Sequence, residues 1–127
     1  MGENIKNKPQ ELTKAELEIM QVIWQKEKVL VHAILAELPG PKPAYNTVST
    51  IVRILENKGF VSHKAYGRTY EYFPVVAKED YTNTYMRTVL DNFFEGSVSR
   101  MVNFFSSQKS ISLEETDEIL RILNGDK

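Results

Sequence analysis

The sequence predicts a mainly α fold with a small β-hairpin in its middle and a helical region at its C-terminal end. Three observations carry that reading. Apolar residues recur at helical spacing in three successive segments, the last ending at Leu55. A run of β-branched and aromatic residues with a central glycine follows, from Phe60 to Phe73. After Pro74 the helical spacing returns and continues to Leu123.

Thr13 opens the first helix. Thr13-Lys14-Ala15-Glu16 is a capping box, in which hydroxyl and carboxylate satisfy the first orphan amides, and Leu12 and Leu17 stand where a hydrophobic staple sits. Ile19, Met20 and Ile23, following Leu12 and Glu16, form its stripe, bordered by Trp24. The helix should stop near Glu27, and Val29 to Val31 suits a minor edge strand. A second, short helix is expected from Val31 to Leu38, with Ile34, Leu35 and Leu38 as its apolar face. Pro39, Gly40, Pro41 and Pro43 then stop it.

A third helix is expected from about Tyr45 to Lys58. Val48, Ile51, Val52 and Leu55 recur at i, i+3, i+4 and i+7, one buried face. Gly59 ends it. Phe60 to Ala65 and Thr69 to Phe73 read as two strands around a Tyr66-Gly67-Arg68 turn, with Tyr70, Tyr72 and Phe73 expected as core and sheet residues. Helix, helix, helix, hairpin is the order of a winged helix-turn-helix domain, with a longer turn between its second and third helices than the minimal motif. The expected organisation is a flexible leader over 1–10, a winged-helix DNA-binding domain over 11–76 and a helical dimerisation region over 77–127. The boundary falls at Pro74 to Lys78.

The last region carries more apolar surface than three short helices can bury alone. Tyr81, Tyr85, Val89 and Phe93 line its first helix. Val98, Met101, Val102 and Phe105 line a second, after the break at Gly96. Ser112-Leu113-Glu114-Glu115 is another capping box, opening a helix with Ile119, Leu120 and Leu123 on one side. Pairing with a second copy through these residues is the expected solution. Folding back onto the winged domain is the alternative.

Composition narrows the function classes. The chain has 127 residues, 42% of them hydrophobic, so it can bury a core, and it has no cysteine for disulfides or thiolate metal sites. No run approaches the roughly 18 apolar residues of a membrane span. The polar, basic N-terminus lacks the apolar stretch of a signal peptide, and a cytoplasmic protein is expected. His32 and His63 lack metal-site spacing, and there is no glycine-rich phosphate loop or nucleophile elbow. The acidic cluster Glu114-Glu115-Asp117-Glu118 sits at a helix N-terminus, where it favours the dipole. An enzyme is not expected, nor is a cofactor or a metal.

Charge is distributed unevenly along a chain of net charge −1. Between Lys42 and Tyr70, the cations Lys42, Arg53, Lys58, Lys64 and Arg68 face one acid, Glu56. At roughly 100° per residue, Asn46, Ser49, Thr50, Arg53 and Asn57 gather opposite the third helix's apolar face. That outer face has no carboxylate. Arg pairs with guanine, Asn with adenine, and Ser and Thr reach phosphates or base edges. His63, Lys64, Tyr66 and Arg68 surround the hairpin tip, where cations suit phosphate or minor-groove contact. The candidate DNA-binding residues are therefore Lys42, Tyr45, Asn46, Thr47, Ser49, Thr50, Arg53, His63, Lys64, Tyr66 and Arg68.

From Leu12 to about Asn124 the chain resembles the penicillinase-repressor (BlaI/MecI/CopY) family of winged-helix repressors. The resemblance rests on the stretch from Leu12 to Met20 with Ile23-Trp24, on Asn46-Thr47-Val48-Ser49-Thr50, and on Leu55-Glu56-Asn57-Lys58-Gly59-Phe60. It implies a homodimer held by the C-terminal helices, blocking a promoter at an inverted-repeat operator. It also implies a switch. In one branch a membrane-embedded zinc metalloprotease sensor starts a proteolytic cut between Asn and Phe, and Val102-Asn103-Phe104 matches that stretch. A bulky apolar residue after Asn is also ordinary helix core. Two features depart from relatives. Asn46 and Ile54 stand where many carry Lys and Arg, and the cysteine motif of the copper-responsive branch is missing. Two rivals stay open at this level: a winged-helix protein-interaction module and a transcriptional activator without proteolytic switching.

Overall fold

The structure, a computed structural model, describes residues 11–108 and 112–123, so the leader expected over 1–10 lies outside the described residues. The elements are α1 (Lys14–Lys26), α2 (Val31–Glu37), α3 (Tyr45–Asn57), β1 (Val61–Tyr66), β2 (Thr69–Pro74), α4 (Lys78–Phe93), α5 (Val98–Ser107) and α6 (Leu113–Leu123). They form two compact units, one extending to Thr82 and one starting at Asn83.

In the first unit, Thr13 and Glu16 cap α1 reciprocally. The Thr13 amide donates to Glu16 Oε1 at 2.9 Å, and the Glu16 amide to Thr13 Oγ1 at 3.1 Å. Glu27, at φ 69°, takes the chain out of the helix. The core gathers Met20 and Ile23 from α1, Ile34 from α2, Val48, Val52 and Leu55 from α3, and Val61 from β1, all essentially fully buried. Each such side chain contributes about 1.5–3 kcal/mol by leaving water. Trp24 borders this core and donates its indole N–H to the Val76 carbonyl at 2.9 Å.

α2 ends before the proline-rich turn, and Lys42 folds back over its C-terminus. The Lys42 ammonium donates to the carbonyls of Leu35, Ala36 and Leu38, at 2.8 Å for the last. A cation on orphan carbonyls is favoured there by hydrogen bonding and by the helix dipole.

β1 and β2 pair antiparallel, with Val61 opposite Pro74, His63 opposite Tyr72 and Tyr66 opposite Thr69. Gly67 begins the two-residue loop at φ +65°, the backbone sign that tight hairpin turns need. Val29 exchanges both backbone hydrogen bonds with Tyr72, at 2.9 and 2.8 Å, a single bridge in place of the edge strand expected over Val29 to Val31, because Leu30 already caps α2 and Val31 begins it.

Glu16 is the one buried charged residue among the described residues. Its carboxylate receives Lys58 Nζ at 2.8 and 3.0 Å, tying the start of α1 to the end of α3. Burial by itself would raise its pKa. The hydrogen bonds from Lys58 and the Thr13 amide, with the Lys58 charge, outweigh that and hold it below the ordinary carboxylate value.

Tyr81, expected on the apolar face of the C-terminal helices, falls within the first unit and packs against its core. Its hydroxyl accepts from the Leu12 amide at 2.9 Å, and its ring lies near Trp24 and Phe60. An aromatic with a polar tip suits this site because the core edge offers both an apolar wall and a free amide.

In the second unit, Leu90 and Val102 are the buried apolar residues among those described. Glu95 and Gly96, both at positive φ, end the α4 segment, and Ser97 caps α5 by accepting from the Arg100 amide at 3.1 Å. Phe104 packs near Phe94 and Phe105. The Ser112–Glu115 capping box forms at 3.0 and 3.1 Å and starts α6. Phe93, Leu113 and Ile122 remain 74%, 78% and 65% exposed. No described helix is long and apolar enough to cross a membrane.

Candidate nucleic-acid interface

α3 presents two faces. Val48, Val52 and Leu55 are buried and Ile51 is half-buried, which fixes the helix on the core. Asn46, Thr47, Thr50, Arg53 and Asn57 are exposed. Arg53 Nη2 lies 3.3 Å from Thr50 Oγ1, so the guanidinium is held along the exposed face. Ile54 is exposed on one flank. Tyr45 and the half-buried Ser49 occupy the other, toward the hairpin.

Glu56 is the acid of this helix, and the fold engages it. His63 Nδ1 on β1 lies 2.8 Å from Glu56 Oε2, and both side chains are partly shielded. The His63 ring stacks on Tyr70 at 4.2 Å and 17°. His63 thus braces the hairpin against α3 as well as standing near its tip.

The other hairpin residues divide by strand face. Lys64 stands opposite Glu71 in the ladder, and its ammonium lies 5.4 Å from the Tyr66 ring centre. Tyr66 and Arg68 are exposed at the tip. Tyr72 is buried as expected. Burial raises its hydroxyl pKa, the Glu56 charge adds to that, and Arg53 opposes it. Tyr70 departs from the core role expected for it and is 47% exposed, because strand pairing leaves its ring beyond the core edge over His63.

Of the residues singled out in the sequence, Tyr45, Asn46, Thr47, Thr50, Arg53, Lys64, Tyr66 and Arg68 are thus exposed on α3 and the hairpin. Lys42 is exposed too, but its ammonium is spent on α2 carbonyls. His32 and Tyr70 are not among the candidate DNA-binding residues. His32 lies at the start of α2 with its ring centre 4.5 Å from that of Tyr45. A lone histidine in a short helix carries no sequence signal for this. Tyr70 carries one, since it falls on the same strand face as Tyr72, two residues nearer the tip.

In the second unit, Val89, Val98, Met101, Ile119 and Leu120 are half-buried, Val102 is buried, and Tyr85, Phe93 and Phe105 are exposed. The side chain of Leu123 lies outside the described residues. Asn103 and Phe104 are exposed on α5, in helical backbone. Among the described residues no group of three or more His, Asp and Glu side chains could hold a metal ion.

Three helices, a two-stranded wing and a polar third helix without a carboxylate on its outer face define a winged-helix protein. The Penicillinase repressor family matches residues 12–125, so the chain belongs to that family. It is 31% identical over 118 residues to the Penicillinase repressor of Bacillus licheniformis, covering 92% of each chain. It is 27% identical over 119 residues to the Methicillin resistance regulatory protein MecI of Staphylococcus aureus (strain N315), covering 93% of this chain and 97% of that one. Among solved structures, the DNA-binding domain of the repressor BlaI matches with 32% identity and a TM-score of 0.50, over 59% of this chain and 92% of that one. A structure of hsRosR-S4 in complex matches at 22% identity with a TM-score of 0.53, over 80% of this chain and 91% of that one, a likeness of fold alone.

Proposed function

We propose that the chain is a sequence-specific transcriptional repressor that binds an inverted-repeat operator as a homodimer. The observation that carries this is the outer face of α3. In a chain of the penicillinase repressor family, Asn46, Thr50, Arg53 and Asn57 stand exposed there with no acid among them. Arg53 and Asn46 supply base-edge readout, and Arg68 at the wing tip supplies phosphate contact. The first unit carries the reading surface and the second the pairing surface.

Pairing is supported by the second unit itself. It buries two apolar side chains among those described, while Phe93, Phe105, Leu113 and Ile122 face solvent. A second copy covers such surface most economically, and two-fold symmetry places two reading helices about 34–36 Å apart, one turn of DNA.

Release follows from proteolysis between Asn103 and Phe104, started by a membrane-embedded zinc metalloprotease sensor, as the family resemblance implies. Both residues are exposed, and α5 must open locally before a protease can hold that bond in extended form.

The test is selection from a pool of random duplexes by the full chain, with the mass of the complex measured in parallel. Recovery of sequences with two-fold symmetry, bound by two chains, is expected. Recovery of unrelated sequences, or binding by one chain, would overturn the dimeric operator reading.

A further inference from the structure

Between the start of α2, the wing-side flank of α3 and β2 lies a cleft of about 290 Å³. His32, Tyr45, Ser49, Arg68, Thr69 and Tyr70 are among the residues that line it. No carboxylate is among the described residues that line it, and Arg68 is the one formally cationic side chain there. An opening with one cation, several hydroxyls and no acid favours an anion. Its volume exceeds a lone inorganic anion and approaches the lower range of small-ligand sites.

The walls are braced before anything binds. Tyr70 stacks on His63, which Glu56 holds at 2.8 Å. Tyr45 is 42% exposed, with its ring against that of His32. The nearest acid on α3 is therefore engaged by His63, and two of the hydroxyl-bearing rings are held in place. Groups already fixed lose little entropy on binding.

We propose that this cleft seats one backbone phosphodiester of bound DNA with its adjoining sugar. Arg68 pairs with the charge, the hydroxyls of Tyr45, Ser49 and Tyr70 donate to its oxygens, and His32 positions Tyr45. The proposal rests on the reading of α3 as the DNA-contacting helix, and it adds a fixed point between helix and wing that sets the register of α3 in the groove.

The test uses the full chain and a duplex that it selects from a random pool. Single phosphates are replaced by neutral methylphosphonates, and binding is followed by anisotropy. One phosphate per half-site is expected to be sensitive in the wild type and to lose that sensitivity in Arg68→Ala. Tyr70→Phe, which keeps the stack on His63, is expected to weaken binding about three- to tenfold. Wild-type affinity in Tyr70→Phe, or an unaltered phosphate pattern in Arg68→Ala, would overturn the proposal while leaving DNA binding intact. Saturable binding of free thymidine 5′-monophosphate, with duplex binding unchanged in both variants, would make the cleft a small-ligand site and also overturn it. If no duplex is retained by the wild type, the reading of α3 fails, and this proposal with it.

Discussion

Lys58 Nζ lies 2.8 Å from Glu16 Oε2 across 42 positions of sequence, and that pair locks the end of the third helix to the start of the first. The Glu16 side chain is 7% exposed and that of Lys58 30%, so solvent screens one partner only. Removing Lys58 strands a buried carboxylate, which costs several kcal/mol when both partners are fully buried. Lys58→Ala should therefore lower the unfolding free energy by about 2–3 kcal/mol in urea titrations. A change below about 0.5 kcal/mol, the size of ordinary surface substitutions, would show that the pair is not structural.

The same carboxylate sets an acid limit on stability. Folded Glu16 releases its proton more readily than an exposed glutamate. Its contribution is therefore complete above the ordinary glutamate pKa of about 4.3 and is lost as pH falls through the folded value. Denaturation at a series of pH values should show a steeper acid loss for the wild type than for Glu16→Gln. Parallel pH profiles would contradict the lowered pKa.

Lys42 illustrates a cation whose role changes with its surroundings. Sequence places it in a basic segment, and the fold puts its ammonium on three carbonyls at the end of α2. Lys42→Ala should cost about 0.5–1 kcal/mol of stability and leave the salt dependence of DNA binding unchanged. A salt slope flattened by about one unit would return Lys42 to the phosphate-contacting set.

Arg68 and Lys64 should behave differently from Arg53. Alanine at either wing position should weaken binding to all duplexes and flatten the salt slope by about one unit each. Mobility shifts on selected and scrambled duplexes at several salt concentrations read this directly. A loss confined to the selected duplex would make these wing residues sequence readers.

Much of this was legible in the sequence because it depends on short-range pattern. Both capping boxes, the two-faced third helix and the glycine turn of the wing follow from residues a few positions apart. What escaped depends on distant partners. The Glu16 side chain can serve as a cap and also accept Lys58 only because α1 and α3 pack together. Tyr81 reads as one more residue of the C-terminal apolar stripe until the Leu12 amide claims its hydroxyl. The bracing of Glu56 by His63, and the place of Tyr70 beyond the core, follow from how the hairpin lies on α3.

The most direct measurement concerns the outer face of α3. Arg53→Ala should weaken binding to the selected duplex by about 1–3 kcal/mol while leaving weak binding to scrambled duplex nearly unchanged, because a base contact is lost and phosphate contacts are kept. Anisotropy titrations of wild type and Arg53→Ala on both duplexes read the two quantities together. Equal affinity of the two proteins for the selected duplex, repeated in Asn46→Ala and Thr50→Ala, would contradict the assignment of this helix as the DNA reader.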